Sequence, residues 1–296
     1  MRKRKIPVEG WMLLPTIAIL AALSIYPFIY LIRMSFMEFS LIPDQPSRFI
    51  GGTNWLEMIK DSKVFYSWIV TLKYYFISLA LQMLLGTVVA LLLYQVKALQ
   101  GIVLIIAAPL FLAPVLVGLL WRFLLDPSYG IYFYWMNRMG MFDFLQKLGF
   151  SEVKSIFGST SLALPAVIAI NSWQWTPLIV MIVLAGLMTI PPQLIEAACI
   201  DGASSWQRLR FIVIPLLKST LVVALLIRTM DLIRFFTVIF VTTGGGPADV
   251  TKILAIRIHE NAFRFYKLGY ASVLGLTLLG VTIVLGTVFV RAISRR

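Results

Sequence analysis

Within the apolar run LLIRTMDLIRFF, three ionisable residues recur at a spacing of three: Arg228, Asp231 and Arg234. On an α-helix this spacing sets them along one stripe, with Arg228 and Asp231 able to pair across a single turn. Charges inside a membrane span are costly, so they mark solute pathways or neutralise one another. A guanidinium–carboxylate pair with spare N–H groups and lone pairs can bind a polar solute. The same pair can equally be a structural ion pair within the helix. A second set of charges, Glu196, Asp201, Arg208 and Arg210, lies in IEAACIDGASSWQRLRFIVIP, from Ile195 to Pro215. That stretch is long enough to cross a bilayer, yet four charges at about 2.5–3.5 kcal/mol each oppose insertion by roughly 10 kcal/mol. It is expected to stay outside the hydrocarbon. One cysteine, Cys199, and one histidine, His259, exclude an internal disulfide and argue against a cysteine–histidine metal site.

The scaffold that must position these charges is a membrane one. Hydrophobic residues make up 60% of the chain and charged residues 13%, against about 25% charged in soluble domains. A spanning helix needs roughly 20 mostly apolar residues. Six stretches qualify: about 11–35, 66–95, 99–125, 161–190, 211–242 and 268–292. The opening MRKRK and the apolar run after it read as an uncleaved first helix, because the run is too long for a signal peptide and no small-residue cleavage site follows. The net charge of +13 falls in short basic clusters between apolar runs. That distribution encodes membrane topology and excludes nucleic acid as a partner, which would call for one basic patch.

Lys and Arg are densest in 1–10, 96–98, 191–210 and 293–296, through Arg2, Lys3, Arg4, Lys5, Lys97, Arg208, Arg210, Arg295 and Arg296. The positive-inside rule therefore puts both termini in the cytoplasm. The longer connections, 36–65, 126–160 and 243–267, then face outward and carry the turn signals IPDQPS, DPSYG and GGGPAD. The aromatic run Ile131–Leu145 reads as an interfacial helix on the outer surface. The expected fold class is an all-α integral membrane protein with six transmembrane helices. Residues 1–62 supply the tail, first helix and outer loop, and 63–296 form a five-helix core that includes the loop 191–215.

Within that loop the residues spell a bent helix pair. Pro191-Pro192 closes the preceding span and can open a short helix over Gln193–Ile200. Gly202 can take positive φ and turn the chain. Ser204, three residues before Gln207, opens a second helix with a capping-box pattern. Trp206, Leu209 and Val213 share a face of it, Arg208 lies elsewhere, and Pro215 sits near the start of the fifth span. An elbow anchored in spans at both ends suits force transmission. The alternative is an ordinary polar loop of similar length.

Glu196-Ala197-Ala198, Asp201-Gly202-Ala203 and Ile212-Val213-Ile214-Pro215 resemble the EAA loop of ABC importer permeases. The glycine stands six positions after the glutamate and the proline nineteen after it, with Ile214 in place of the usual leucine. WRFLLDPSYG (121–130), VTTGGGPADVTKIL (241–254) and AFRFYKLGYASVLG (262–275) resemble the carbohydrate-uptake, maltose-type branch, and the likeness covers nearly the whole chain. It implies the type I importer permease fold, with a cytoplasmic coupling helix between the fourth and fifth spans. That helix would dock in a cleft of an ATPase subunit. Glu196 would accept hydrogen bonds there, Ala197 and Ala198 would keep the surface thin, and Asp201 and Gly202 would form the bend. Trp206 would pack in the cleft or against the elbow, with Arg208 on the same coupling segment.

The resemblance also implies a sugar site. Arg228, Asp231, Leu232 and Phe235 of the fifth span would line it with Asn171, Trp173 and Trp175 of NSWQW in the fourth. Sugar hydroxyls suit Asp, Asn and Arg, and sugar rings pack on indoles; helix packing or interfacial anchoring is the alternative for the tryptophans. Two arginines depart from a neutral-sugar site rich in Asn and Ser, and point to a phosphorylated, sulfonated or uronic sugar.

The implied partners are a second permease subunit, two cytoplasmic ATPase subunits, an extracytoplasmic solute-binding protein, the sugar and the lipid of a bacterial inner (plasma) membrane. No cofactor is expected on this chain, ATP and Mg belonging to the ATPase. No G-x-x-x-x-G-K-[ST] loop occurs, so the chain is not expected to be an enzyme. The expected mechanism is alternating access. An ion- or proton-coupled secondary transporter competes, although only Asp231 offers a midplane carboxylate and no inverted repeat is visible. A membrane-embedded enzyme fits a single outer-loop histidine poorly.

Overall fold

In hydrocarbon every backbone N–H and C=O must be satisfied within the segment itself, so the apolar stretches are helical. The computed structural model describes residues 8–39, 47–95, 99–147, 149 and 153–294. The basic residues at 2–5, 97 and 295–296, and residues 42–46 of IPDQPS, lie outside the described residues. In chain order the elements are α1 (Val8–Ser35), a two-stranded antiparallel ribbon β1 (Met37–Glu38) and β2 (Arg48–Phe49), α2 (Thr53–Lys60) and α3 (Ser62–Leu93). Next come α4 (Leu99–Ala107), α5 (Pro114–Leu124), α6 (Ile131–Arg138), α7 (Met141–Lys147), α8 (Ala163–Met188) and α9 (Pro192–Ile200). The last are α10 (Ser205–Arg208), α11 (Ile214–Leu232), α12 (Thr237–Thr242), α13 (Leu254–His259) and α14 (Leu268–Ser294). Among the described residues, five helices are long and apolar enough to cross a membrane, and a bent pair makes a sixth if it counts as one span.

The described chain divides into two compact units: residues up to Val64 with Arg257–Leu279, and Phe65–Ile256 with the residues from Gly280 onward. The first unit therefore takes a segment from late in the sequence. In it the Asn54 amide donates to the carbonyls of Ser35 and Met37, at 3.0 and 3.1 Å. The Tyr270 hydroxyl donates to Asp61 at 2.8 Å.

The second unit is built around α8, which is mostly apolar with no separate polar face and is buried along most of its length. Ile179, Val183, Leu187 and Leu217 are at its core with Ala90 and Ala224. Small residues let the helices approach closely. A Cβ at Gly186 would stand 2.6 Å from Thr220 Oγ1 of α11, and one at Gly86 of α3 would stand 2.6 Å from the Ile179 side chain. Gly186→Val should therefore overpack the α8–α11 contact by about 1–3 kcal/mol, read as a lower melting midpoint in detergent. An unchanged midpoint would mean the two helices separate freely.

Four expectations about continuity are corrected. The third span is not one helix. α4 runs on as a 3₁₀ turn through Ala108–Phe111, and the segments on either side of Leu112 and Ala113 are bent by 94°. Pro114 cannot donate a helical N–H and forces Ala113 into an extended conformation (φ −59°, ψ 137°). The Leu112 carbonyl near the break accepts from Gln174 Nε2 at 3.0 Å.

The fifth span ends at Leu232 and resumes as α12. Arg234 Nε takes the Met230 carbonyl at 3.0 Å, while the Arg234 backbone N–H turns to Asp231 O. The helix thereby tightens and stops. The aromatic run forms two helices, α6 and α7, because Gly140 turns between them with φ +70°; Phe133 and Phe142 pack together at 4.8 Å. Finally, the second elbow helix is not separate from the fifth span. A π turn, Leu209–Val213, joins α10 to α11 in one helix over Ser205–Leu232. Pro215 has no N–H to donate, and the wider i→i+5 turn accommodates it.

Candidate functional site

Arg228 is the largest fully buried side chain of the described structure, with 1% of its surface exposed. Three helices hold it. Its Nε donates to Gln82 Oε1 of α3 at 2.8 Å, and Nη2 lies 3.5 Å from Asn171 Oδ1 of α8. Nη1 reaches Asp231 Oδ2 one turn on, at 3.4 Å, and the guanidinium stands 4.9 Å from the centre of the Trp175 ring. Gln82 Nε2 donates to Asn171 Oδ1 at 2.7 Å. With Gln82 Oε1 facing Arg228 and Asn171 Oδ1 facing two donors, both amides are locked in orientation. Asn171 Nδ2 and Trp175 Nε1 are left buried without acceptors.

The Asp231 carboxylate is 42% exposed and also faces Arg234 Nη2 at 3.7 Å. It opens onto a hollow of about 370 Å³ lined by Trp175, Arg228, Asp231, Arg234 and Phe235, together with Pro114, Phe236 and Thr237. The last three sit at the helix breaks of the third and fifth spans. Irregular backbone at membrane depth is tolerated where it lines a cavity, and here the two breaks meet at one.

The sequence-expected residues divide accordingly. Arg228, Asp231, Phe235 and Trp175 line the hollow, and Asn171 braces Arg228 from behind. Trp173 does not join them. Asn171 and Trp175 are four apart on one helical face, whereas Trp173 lies about 200° round from Asn171. It meets Trp121 edge-on at 5.4 Å and lines a separate apolar hollow with Leu85, Ile105 and Pro177. Leu232 is fully buried and does not line the Arg228 hollow. Sequence reasoning missed Gln82, which is distant in the chain from its two partners; its only signal was an amide in an apolar helix.

The elbow is built by its caps. Ala203 N–H bonds to Ala198 O and Gly202 N–H to Cys199 O, closing α9 in a Schellman turn with Gly202 at φ +76°. Ser204 then opens α10 with a reciprocal capping box to Gln207, at 3.3 and 2.7 Å. The Arg208 guanidinium bonds Ser205 Oγ on its own helix and crosses the bend to Cys199 Sγ, pinning the two helices together. Glu196, Ala197, Asp201 and Gly202 are exposed and Ala198 half-buried. Ile200 is 87% exposed and Trp206 64%, so the elbow presents an apolar surface edged by two carboxylates. A bare loop would have no reason to carry it.

A family model for the inner membrane component of binding-protein-dependent transport systems matches residues 82–296. The chain belongs to this family. It is a multi-pass ABC importer permease. This permease is 34% identical over 260 residues to the trehalose/maltose transport system permease protein of Thermococcus litoralis, covering 87% of this chain and 83% of that one. It is 31% identical over 286 residues to the sulfoquinovosyl glycerol transport system permease protein of Agrobacterium fabrum, covering 96% and 90%. The permease shares its fold, at TM-score 0.82 and 23% identity, with a chain of a bacterial ABC transporter involved in import of the acidic polysaccharide alginate, over 97% and 95% of the two chains.

Proposed function

We propose that this permease forms half of the translocation pore of a sugar importer and passes an acidic sugar derivative through the hollow at Arg228. The observation that carries this reading is the donor excess there. Two guanidinium groups face one carboxylate, the unpaired buried nitrogens of Asn171 and Trp175 add N–H donors, and α5 begins at the hollow with the positive end of its dipole. An acidic group would complete that set. The named relatives carry trehalose or maltose and sulfoquinovosyl glycerol, and the structural neighbour an acidic polysaccharide, which keeps the class to sugars and admits acidic ones.

In this reading a solute-binding protein delivers the sugar from outside, a second permease subunit completes the pore, and one of two ATPase subunits grips this chain's exposed elbow through Glu196, Ala197, Ala198 and Trp206. ATP and Mg stay on the ATPase and this chain binds no cofactor. The membrane is a bacterial inner membrane, with both termini in the cytoplasm. ATP binding draws the elbows together, the spans rotate to open the hollow outward, and hydrolysis resets them. Uptake by the reconstituted complex should favour a uronic or sulfonated sugar over its neutral isostere by about ten- to a hundredfold, the worth of one hydrogen-bonded charge. Equal uptake of the two would remove the acidic class.

A further inference from the structure

One helix of the second unit carries polar groups that the hollow does not account for. Tyr74, Ser78 and Gln82 follow one another at intervals of four along α3, about 6 Å apart, and all three are fully buried. Such a row on an apolar spanning helix is expensive unless each member is paired. Gln82 is paired, to Arg228 and Asn171. The hydroxyls of Tyr74 and Ser78 lie within hydrogen-bonding reach of each other, and neither finds a further partner among the described residues. The neighbouring Tyr75 hydroxyl meets Thr229 Oγ1 at 3.0 Å, so the pair lies where α3 faces α11. The Tyr74 ring stacks on Phe235 with centroids 5.3 Å apart and planes 17° from parallel, and Phe235 lines the Arg228 hollow.

We infer that α3 is a third wall of the solute site, on which Tyr74 and Ser78 hydrogen-bond sugar hydroxyls and Gln82 is the positioning residue that orients Arg228 and Asn171. Burial of the two hydroxyls is complete within this one chain, so solute meets them only in a state where the packing around Tyr74 has opened, and Phe235 is the side chain that Tyr74 shares with the hollow. Hydroxyls that donate and accept, beside an aromatic ring, match a polyol and give an ion little. The acidic group of the solute then lies at Arg228 and its neutral hydroxyls along α3. The inference rests on the sugar-import reading above.

The test uses the full complex in proteoliposomes with its solute-binding protein, and radiolabelled trehalose and glucuronate as probes. Tyr74→Phe keeps the ring stack and removes one oxygen; Ser78→Ala does the same for the smaller side chain. The two hydroxyls face each other, so each single variant orphans the other hydroxyl while the double variant removes both; the single variants should still assemble, and the double variant should melt at or above the wild-type temperature. The apparent KM for uptake should nevertheless rise about three- to tenfold for each, the worth of one neutral hydrogen bond, and further in the double variant. A double variant with wild-type KM and rate overturns this inference alone. A wild-type complex that takes up neither probe overturns it together with the reading on which it rests.

Discussion

Arg228→Ala is expected to abolish sugar uptake while the variant still copurifies with the proposed ATPase and second permease subunit. The side chain is 1% exposed and is bound from α3, α8 and its own helix, so truncation unlocks several groups together. Gln82 Oε1 loses the guanidinium N–H that it accepts, and the indole of Trp175 loses its cation. Removing one partner of a buried charged pair costs about 3–5 kcal/mol. Asp231 keeps Arg234 and is 42% exposed, which places this variant toward the lower end. Arg228→Met fills most of the volume and separates loss of charge from loss of packing; it should be as inactive as the alanine variant. Arg228→Lys keeps a charge but lacks the planar fork that reaches Gln82, Asn171 and Asp231 together, and should fall at least about tenfold. Normal uptake by an assembled Arg228→Ala complex would remove Arg228 from the solute path.

The second large effect belongs to the elbow. Gly202→Pro places a residue fixed near φ −65° where the chain needs +76°, and deletes the N–H that bonds to Cys199 O. The Schellman turn cannot form, so the angle between α9 and α10 is lost. ATP hydrolysis should continue without uptake, or the ATPase should fail to copurify. Glu196→Lys reverses an exposed charge and leaves the turn intact; it should weaken ATPase attachment at low salt more than at high salt. Wild-type uptake by both variants would show that the elbow touches no motor.

Much of this was legible in the sequence because it is written in local code. The elbow followed from Pro191-Pro192, Gly202 and the Ser204–Gln207 spacing, each a backbone requirement met by a residue type. Arg228 and Asp231 stood out because charges in an apolar run have few uses. The breaks were less legible. Pro114 announced one, whereas the stop after Leu232 depends on the Arg234 side chain claiming the Met230 carbonyl, which no pattern encodes. The resemblance implies Trp173 beside Asn171 and Trp175, whereas helical period sets it on another face. The α3 row of Tyr74, Ser78 and Gln82 escapes the sequence reading, because its meaning depends on Arg228, which lies far along the chain and beside Gln82 in space.

The helix that unites the elbow with the fifth span carries a thermodynamic obligation. Trp206 and Arg228 are twenty-two residues apart on one rod, Ser205–Leu232, or roughly 33 Å at 1.5 Å per residue, and the π turn at Leu209–Val213 is its one irregularity. In the proposed function, cargo at one end and motor at the other are bound to a single strut. Whatever factor an occupied nucleotide site adds to the affinity for solute, bound solute must add to the affinity for nucleotide, so fuel is best spent when the pore is loaded.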